Sequence, residues 1–127
     1  MNERSLVVLE LPKILERLAA QTSFSAGYEL ALALRPSSDL GEVRHRIGGT
    51  TEARRLLELK PTVGLGGARD IRPLLRRAVV GGSLDPGELL EVLGTLQSGR
   101  GLRVQILKLG DQLPLLAEVA ARLADCP

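Results

Sequence analysis

Arg69-Asp70-Ile71-Arg72-Pro73-Leu74-Leu75-Arg76-Arg77-Ala78-Val79-Val80 is the stretch that decides the fold class. Ile71, Leu74, Leu75, Ala78 and Val79 recur at i, i+3, i+4, i+7 and i+8, the spacing of one helical face. Asp70 can cap the first turn, and Pro73 falls within that turn, where the N–H it lacks has no intrahelical partner. Gly81-Gly82 follow as a stop, because glycine takes the left-handed conformation without a Cβ clash. Arg69, Arg72, Arg76 and Arg77 stay outside the apolar stripe. The stretch reads as a short helix with one side for a core and four guanidinium groups left for another role.

The composition supports a helical reading of the whole chain. Leucine occurs 27 times against 13 for valine and isoleucine together, which favours helices over strands. Phe24 and Tyr28 are the only aromatics, so the core must be aliphatic. At 127 residues the chain suits one domain, large enough to bury roughly two-thirds of the surface its unfolded form exposes. The net charge of +2 conceals an asymmetry: positions 44 to 77 hold nine basic and three acidic residues, +6, and the remainder holds eight against twelve, −4. An acidic partner for the middle of the chain and a merely solvated arginine face both remain open. The single cysteine, Cys126, cannot form an intrachain disulfide, which makes a reducing, cytoplasmic setting the expectation. The opening Met1-Asn2-Glu3-Arg4 and the short apolar run after it do not suit a signal peptide. No run approaches the ~20 apolar residues of a membrane span.

Outward from the central stretch, local signals place the other helices. Ser5 can cap a short turn holding Leu6, Val7 and Leu9, and Pro12 suits the first position of a helix reaching about Gln21. Thr22-Ser23-Phe24-Ser25 is rich in cap-forming oxygens. Tyr28, Leu30, Ala31, Leu32 and Leu34 surround the next helix and predict its burial. A helix from Leu40 to Leu59 follows, capped by Asp39, with Leu40, Val43, Ile47, Thr50 and Leu57 as its inner stripe. Gly48-Gly49 in its middle predict a weakened or kinked helix, since each costs roughly 1 kcal/mol against alanine. Leu84-Asp85-Pro86-Gly87-Glu88 is a start signal of cap, proline and first-turn acid. Beyond Gly99 and Gly101, Leu102, Val104 and Ile106 alternate as a strand would, but an isolated strand has no partner here. Pro114 opens a last helix with Leu115, Leu116, Val119, Ala120 and Leu123. The result is an all-α fold of about five or six helices, with Leu15, Leu18, Leu30, Leu57, Ile71, Leu74, Leu75 and Leu93 inside.

A search for chemistry yields no catalytic, cofactor-binding or metal-binding constellation. Lys60-Pro61-Thr62-Val63-Gly64-Leu65-Gly66-Gly67 invites a phosphate-loop reading, but Ala68-Arg69 stand where that motif needs Lys then Ser or Thr. The loop therefore reads as a flexible connector. His45 is the only imidazole, flanked by Arg44 and Arg46 on a polar helix side, and a metal site needs more ligands than this. A Cys126–His45 pair has nothing to bring it together. Two aromatics do not make a base-stacking platform. What remains is arginine: Arg44, Arg55, Arg69, Arg72, Arg76 and Arg77 form the candidate contact set for phosphate or another acidic partner. The competing reading makes them internal ion-pair partners of Asp70, Glu52 or Glu58.

Five stretches carry a resemblance. They are Leu9-Glu10-Leu11-Pro12-Lys13-Ile14-Leu15, Thr22-Ser23-Phe24-Ser25-Ala26-Gly27, Thr51-Glu52-Ala53-Arg54-Arg55-Leu56-Leu57, the central Arg69–Ala78, and Gly82-Ser83-Leu84-Asp85-Pro86-Gly87-Glu88-Leu89. In that order and at those separations the chain resembles the N-terminus of the type-two branch of bacterial MutS proteins. The most specific part is D-I-R, then L-x-R-A, then the Gly82–Leu89 run. Gly48-Gly49, Gly99 and Gly101 depart from the pattern.

The resemblance implies that residues 1–127 are the N-terminal helical portion of a MutS-type core domain. The family's ATPase, clamp and small MutS-related nuclease domains are not in this chain. ATP and Mg²⁺ accordingly belong to the full-length family, and the Phe-x-Glu mismatch wedge is missing because Ser25-Ala26 follow Phe24. The family's implied partners are branched or duplex DNA, the stalled ribosome and a second copy in a homodimer; its implied role is to suppress homologous recombination. The alternative is a free-standing helical module that binds an acidic protein or ribosomal RNA through its arginines.

Overall fold

The computed structural model describes residues 2–125, so Cys126 and any pairing of it with His45 lie outside the described residues. Seven α-helices and no strand are found among them: α1 (Glu3–Val8), α2 (Leu11–Ala19), α3 (Ser25–Leu32), α4 (Leu40–Leu59), α5 (Arg72–Val79), α6 (Pro86–Lys108) and α7 (Pro114–Ala121). The all-α expectation holds. The count exceeds five or six because the turn at Leu6 is a helix of its own, capped by Asn2 rather than Ser5. The helices fall into two compact units, one ending at Pro36 and one beginning at Ser37.

In the first unit α2 packs on both α1 and α3. Leu6, Leu15, Ala19 and Ala31 are buried. Glu10 joins α1 to α2 in the left-handed conformation, φ 59°, and its carboxylate meets Lys13 Nζ at 2.7 Å. Thr22 closes α2 by donating its hydroxyl to the Ala19 carbonyl rather than capping α3. The expected burial of α3 is confined to Ala31; Leu30 is 73% exposed, and Leu18 of α2 is exposed too. An apolar cleft of about 180 Å³ is lined by Leu6, Leu11, Leu15 and Leu32 together with Glu3, Glu16 and Arg35.

In the second unit α7 packs against both α4 and α6. The core there is Leu56, Ile106, Leu113 and Ala120, with Val63, Leu102, Leu109, Leu116 and Ala117 against it. Leu113 is 0% exposed, although it lies between helices and not in one. Helix α4 begins on Asp39, whose carboxylate accepts the Glu42 N–H at 2.8 Å, and runs unbroken through Gly48-Gly49. Its inner face is not the expected one. Leu40, Ile47 and Leu57 are exposed; Glu52 and Ala53 are half-buried and Leu56 is buried. Gly48 explains the change, because a Cβ there would stand 2.9 Å from Leu115 Cδ1. Gly48 lets Leu115 of α7 approach closely, and Leu40, Ile47 and Leu57 are left facing outward.

Helix α6 likewise runs unbroken through Gly99 and Gly101, with Ile106 buried, which removes the strand-like alternative for 102–106. Asp85 and Glu88 form a reciprocal capping box at its start. Each fills an orphan backbone donor of the first turn.

Candidate nucleic-acid or partner interface

The loop after α4 and helix α5 carry four of the six candidate arginines. Among the described residues this loop is docked on α6, contrary to a free connector. Ala68 is buried, and the Arg69 N–H donates to Thr95 Oγ1 at 3.0 Å. The Thr95 hydroxyl in turn donates to the Glu91 carbonyl at 2.9 Å. This fixes where α5 begins. The helix ends at Gly81, φ +88°, where the Gly82 N–H reaches the Arg77 carbonyl at 2.8 Å and the Gly81 N–H reaches the Ala78 carbonyl at 3.0 Å. These two bonds satisfy the last carbonyls in the Schellman pattern, so the glycine stop reads as expected.

The face that α5 presents to the protein is narrower than its apolar pattern. Ile71 and Leu74 are half-buried, but Leu75 is exposed and Val79 is 86% exposed. No residue of the helix is buried. Leu75 and Val79 are therefore corrected from core to surface, as are Leu57 of α4 and Leu93 of α6. The physical reason is shared: the second unit fills its core from Leu56, Ile106, Leu113 and Ala120, leaving no interior for these side chains.

The arginines divide into two kinds. Arg72 grips Asp70 through Nε at 2.8 Å and Nη2 at 2.7 Å, and Asp70 also accepts the Arg72 N–H at 3.2 Å. Arg77 pairs with Glu88. That bond, reinforced by the Asp85 N–H, holds the Glu88 carboxyl below its ordinary range, and it raises Arg77 in turn. Arg55 donates to Gln112 Oε1 at 3.0 Å. The side chains of Arg44, Arg69 and Arg76 make no hydrogen bond or ion pair among the described residues. Arg44 and Arg55 are eleven residues apart on α4, about 16 Å along one side of the helix. Helices α4 and α5 do not pack on one another to any extent comparable with the α4–α7 contact.

The ion-pair reading thus accounts for Arg72 through Asp70. Glu52 serves otherwise: its carboxylate accepts the N–H groups of Leu115 at 2.8 Å and Leu116 at 3.3 Å, at the start of α7. The Arg77–Glu88 pair had no sequence signal, since its partners belong to helices separated by a turn. His45 is exposed on α4. No three His, Cys, Asp or Glu side chains converge on a possible metal position among the described residues.

Comparison with known proteins shows what the chain as a whole is similar to. No family model matches the chain. It is 45% identical over 123 residues to Endonuclease MutS2 of Symbiobacterium thermophilum, covering 97% of this chain and 15% of that protein. It is 41% identical over 127 residues to Endonuclease MutS2 of Pelotomaculum thermopropionicum, covering 100% of this chain and 16% of the relative. The Endonuclease MutS2 of Geobacillus thermodenitrificans is 42% identical over 130 residues, 100% of this chain and 17% of its own length. The chain is similar throughout to the N-terminal region of MutS2 proteins.

The resemblance drawn from the Arg69–Ala78 and Gly82–Leu89 motifs is therefore sound. The chain spans about one-sixth of the MutS2 relatives it matches. Within it, the Arg69–Leu89 stretch is held at two points. Asp70 holds Arg72 at one end of α5, and Glu88 holds Arg77 at the other. No helix among the described residues is long and apolar enough to cross a membrane.

Proposed function

We propose that this chain is a non-catalytic helical core segment of a MutS2-type protein, a DNA-acting ATPase and endonuclease. The observation that supports this reading is 41–45% identity, spread over nearly the whole chain, to proteins named Endonuclease MutS2. On this reading ATP and Mg²⁺ bind outside residues 1–127, and the helices transmit between a DNA site and an ATP site supplied elsewhere. The complete protein acts as a cytoplasmic homodimer on branched DNA and suppresses homologous recombination, with the stalled ribosome as a second target. A helix pair such as α4–α7, joined by side-chain-to-backbone bonds as well as apolar packing, suits a part that must move as one body.

Grafting supplies the test. Replacing the matching segment of the Symbiobacterium protein by this chain is expected to leave its nuclease activity within a few-fold of the parent, while the 127-residue chain alone cuts no DNA. A chimera that folds and dimerises like the parent but has lost that activity overturns the reading.

A further inference from the structure

Burial fades along the segment that leads through α5. Ala68 before the helix is buried, Ile71 and Leu74 are half-buried, Leu75 is exposed, and Val79 and Val80 are 86% and 82% exposed. Helix α5 packs on no other helix to the extent that α4 and α7 pack on each other. An eight-residue helix without such packing is marginal in water.

Two contacts tie this segment to α6. On the N-terminal side the backbones come close: a Cβ added at Gly67 would stand 3.4 Å from the Gly94 carbonyl oxygen, and the Arg69 N–H donates to Thr95 Oγ1. On the C-terminal side is the Arg77–Glu88 ion pair. Glu88 and Thr95 are seven residues apart on α6, two turns along one face and about 10 Å. Residues 69–77 therefore bridge that stretch and are fastened at its two ends. The ties differ in kind. The first combines a buried side chain with a close backbone approach. The second is a part-exposed ion pair, which contributes little, and less as salt rises. Releasing it does not undo the start of α6, whose capping box is made by Asp85 and Glu88 alone. Residues 80–84, between Val79 and the Asp85 cap, leave the slack that release needs.

We propose that α5 is a strap across α6 that opens from its Gly81 end about Ala68–Arg69, held shut by the Arg77–Glu88 pair. Opening melts the short helix. It also frees Arg77 to join Arg69 and Arg76, whose side chains have no hydrogen-bonding or ion-pairing partner among the described residues. Amide hydrogen exchange of the 127-residue chain, read by NMR as protection factors, tests this, with circular dichroism confirming that the variant keeps its helicity. The amides of 78–82 are expected to be at least about tenfold less protected than the α7 amides around Ala120. Arg77→Gln is expected to lower their protection about threefold to fivefold, leaving the Arg69 amide and α7 unchanged. Raising the salt from about 0.05 M to about 0.5 M should bring the parent to the level of Arg77→Gln, which should not itself respond. Protection of 78–82 that equals that of α7, or that Arg77→Gln leaves unchanged, overturns the proposal. So does a loss that extends to α7, which marks general destabilisation, or one shared by the Arg69 amide, which leaves no hinge. A salt response that persists in Arg77→Gln overturns it too, by removing the Arg77–Glu88 pair as the cause.

Discussion

The carboxylate of Glu52 accepts the backbone N–H of Leu115 through both oxygens, at 2.8 and 3.1 Å. A side chain in the middle of α4 thereby caps a helix 63 residues away. The bond is part-buried and charge-assisted, and it meets the positive end of α7. Glu52→Ala is expected to cost about 1–3 kcal/mol. Glu52→Gln, which keeps an acceptor but not the charge, is expected to cost less. Chemical denaturation of the two variants against the parent checks the order.

The two central glycines of α4 are expected to behave differently. A methyl group added at Gly49 would have nothing within 4 Å, whereas one added at Gly48 would meet Leu115 Cδ1 at 2.9 Å. Gly49→Ala should raise stability by about 0.5–1 kcal/mol through helix propensity alone. Gly48→Ala should gain less or lose, because Leu115 must move. Melting temperatures of the pair decide it; equal gains would mean that the close approach carries no energy.

Burial ranks Leu113 above Leu75 despite the better helical pattern around Leu75. Leu113→Ala is expected to cost roughly 2–5 kcal/mol. Leu75→Ala, at a position 45% exposed, should cost about 1 kcal/mol. Urea unfolding midpoints at constant slope provide the comparison.

Two carboxylates give stability an acid limb. Glu88 is lowered chiefly by Arg77, and Glu42 chiefly by the Ser37 hydroxyl and then by Arg46. A carboxylate whose folded-state pKa is depressed stabilises fully above its unfolded value, and that contribution is lost as pH falls through the folded one. The loss therefore begins below the ordinary 4.5 of both groups. Glu88→Gln combined with Glu42→Gln should flatten the fall in melting temperature on acidification while changing the neutral-pH slope little. An unchanged acid limb would refute the assignment.

Arg72 and Arg76 are neighbours in pattern but not in function. Arg72→Ala breaks the two-pronged grip on Asp70 and should lower stability by up to about 1 kcal/mol. Arg76→Ala should stay within about 0.5 kcal/mol of the parent. Thermal unfolding of the single variants tests this.

Much of the helix layout was legible because its signals are local. Asp39 starts α4, Asp85-Pro86-Gly87-Glu88 start α6 and Gly81 ends α5, each through bonds within a few residues. The core was less legible. Periodicity favours large aliphatic residues, so it selected Leu40, Ile47 and Leu57 on α4, whereas the packed side runs through Gly48, Glu52 and Leu56. Small residues and a carboxylate leave no hydrophobic trace, and their value depends on what α7 brings to them. The arginines were visible as a set, but which of them are engaged depends on Asp70, Gln112 and Glu88, and the last two are remote in sequence.

Thr95 bears on how the second unit breathes. Its hydroxyl joins the Arg69 amide to the Glu91 carbonyl, one turn back on α6, beside the buried Ala68. The Arg69 amide exchanges when the Thr95 hydroxyl lets go of it, which makes deuterium uptake there a clock for loop detachment. A Thr95→Val variant keeps the shape and removes the latch, and in it that amide should exchange at the pace of the loop, ahead of the α6 amides beneath.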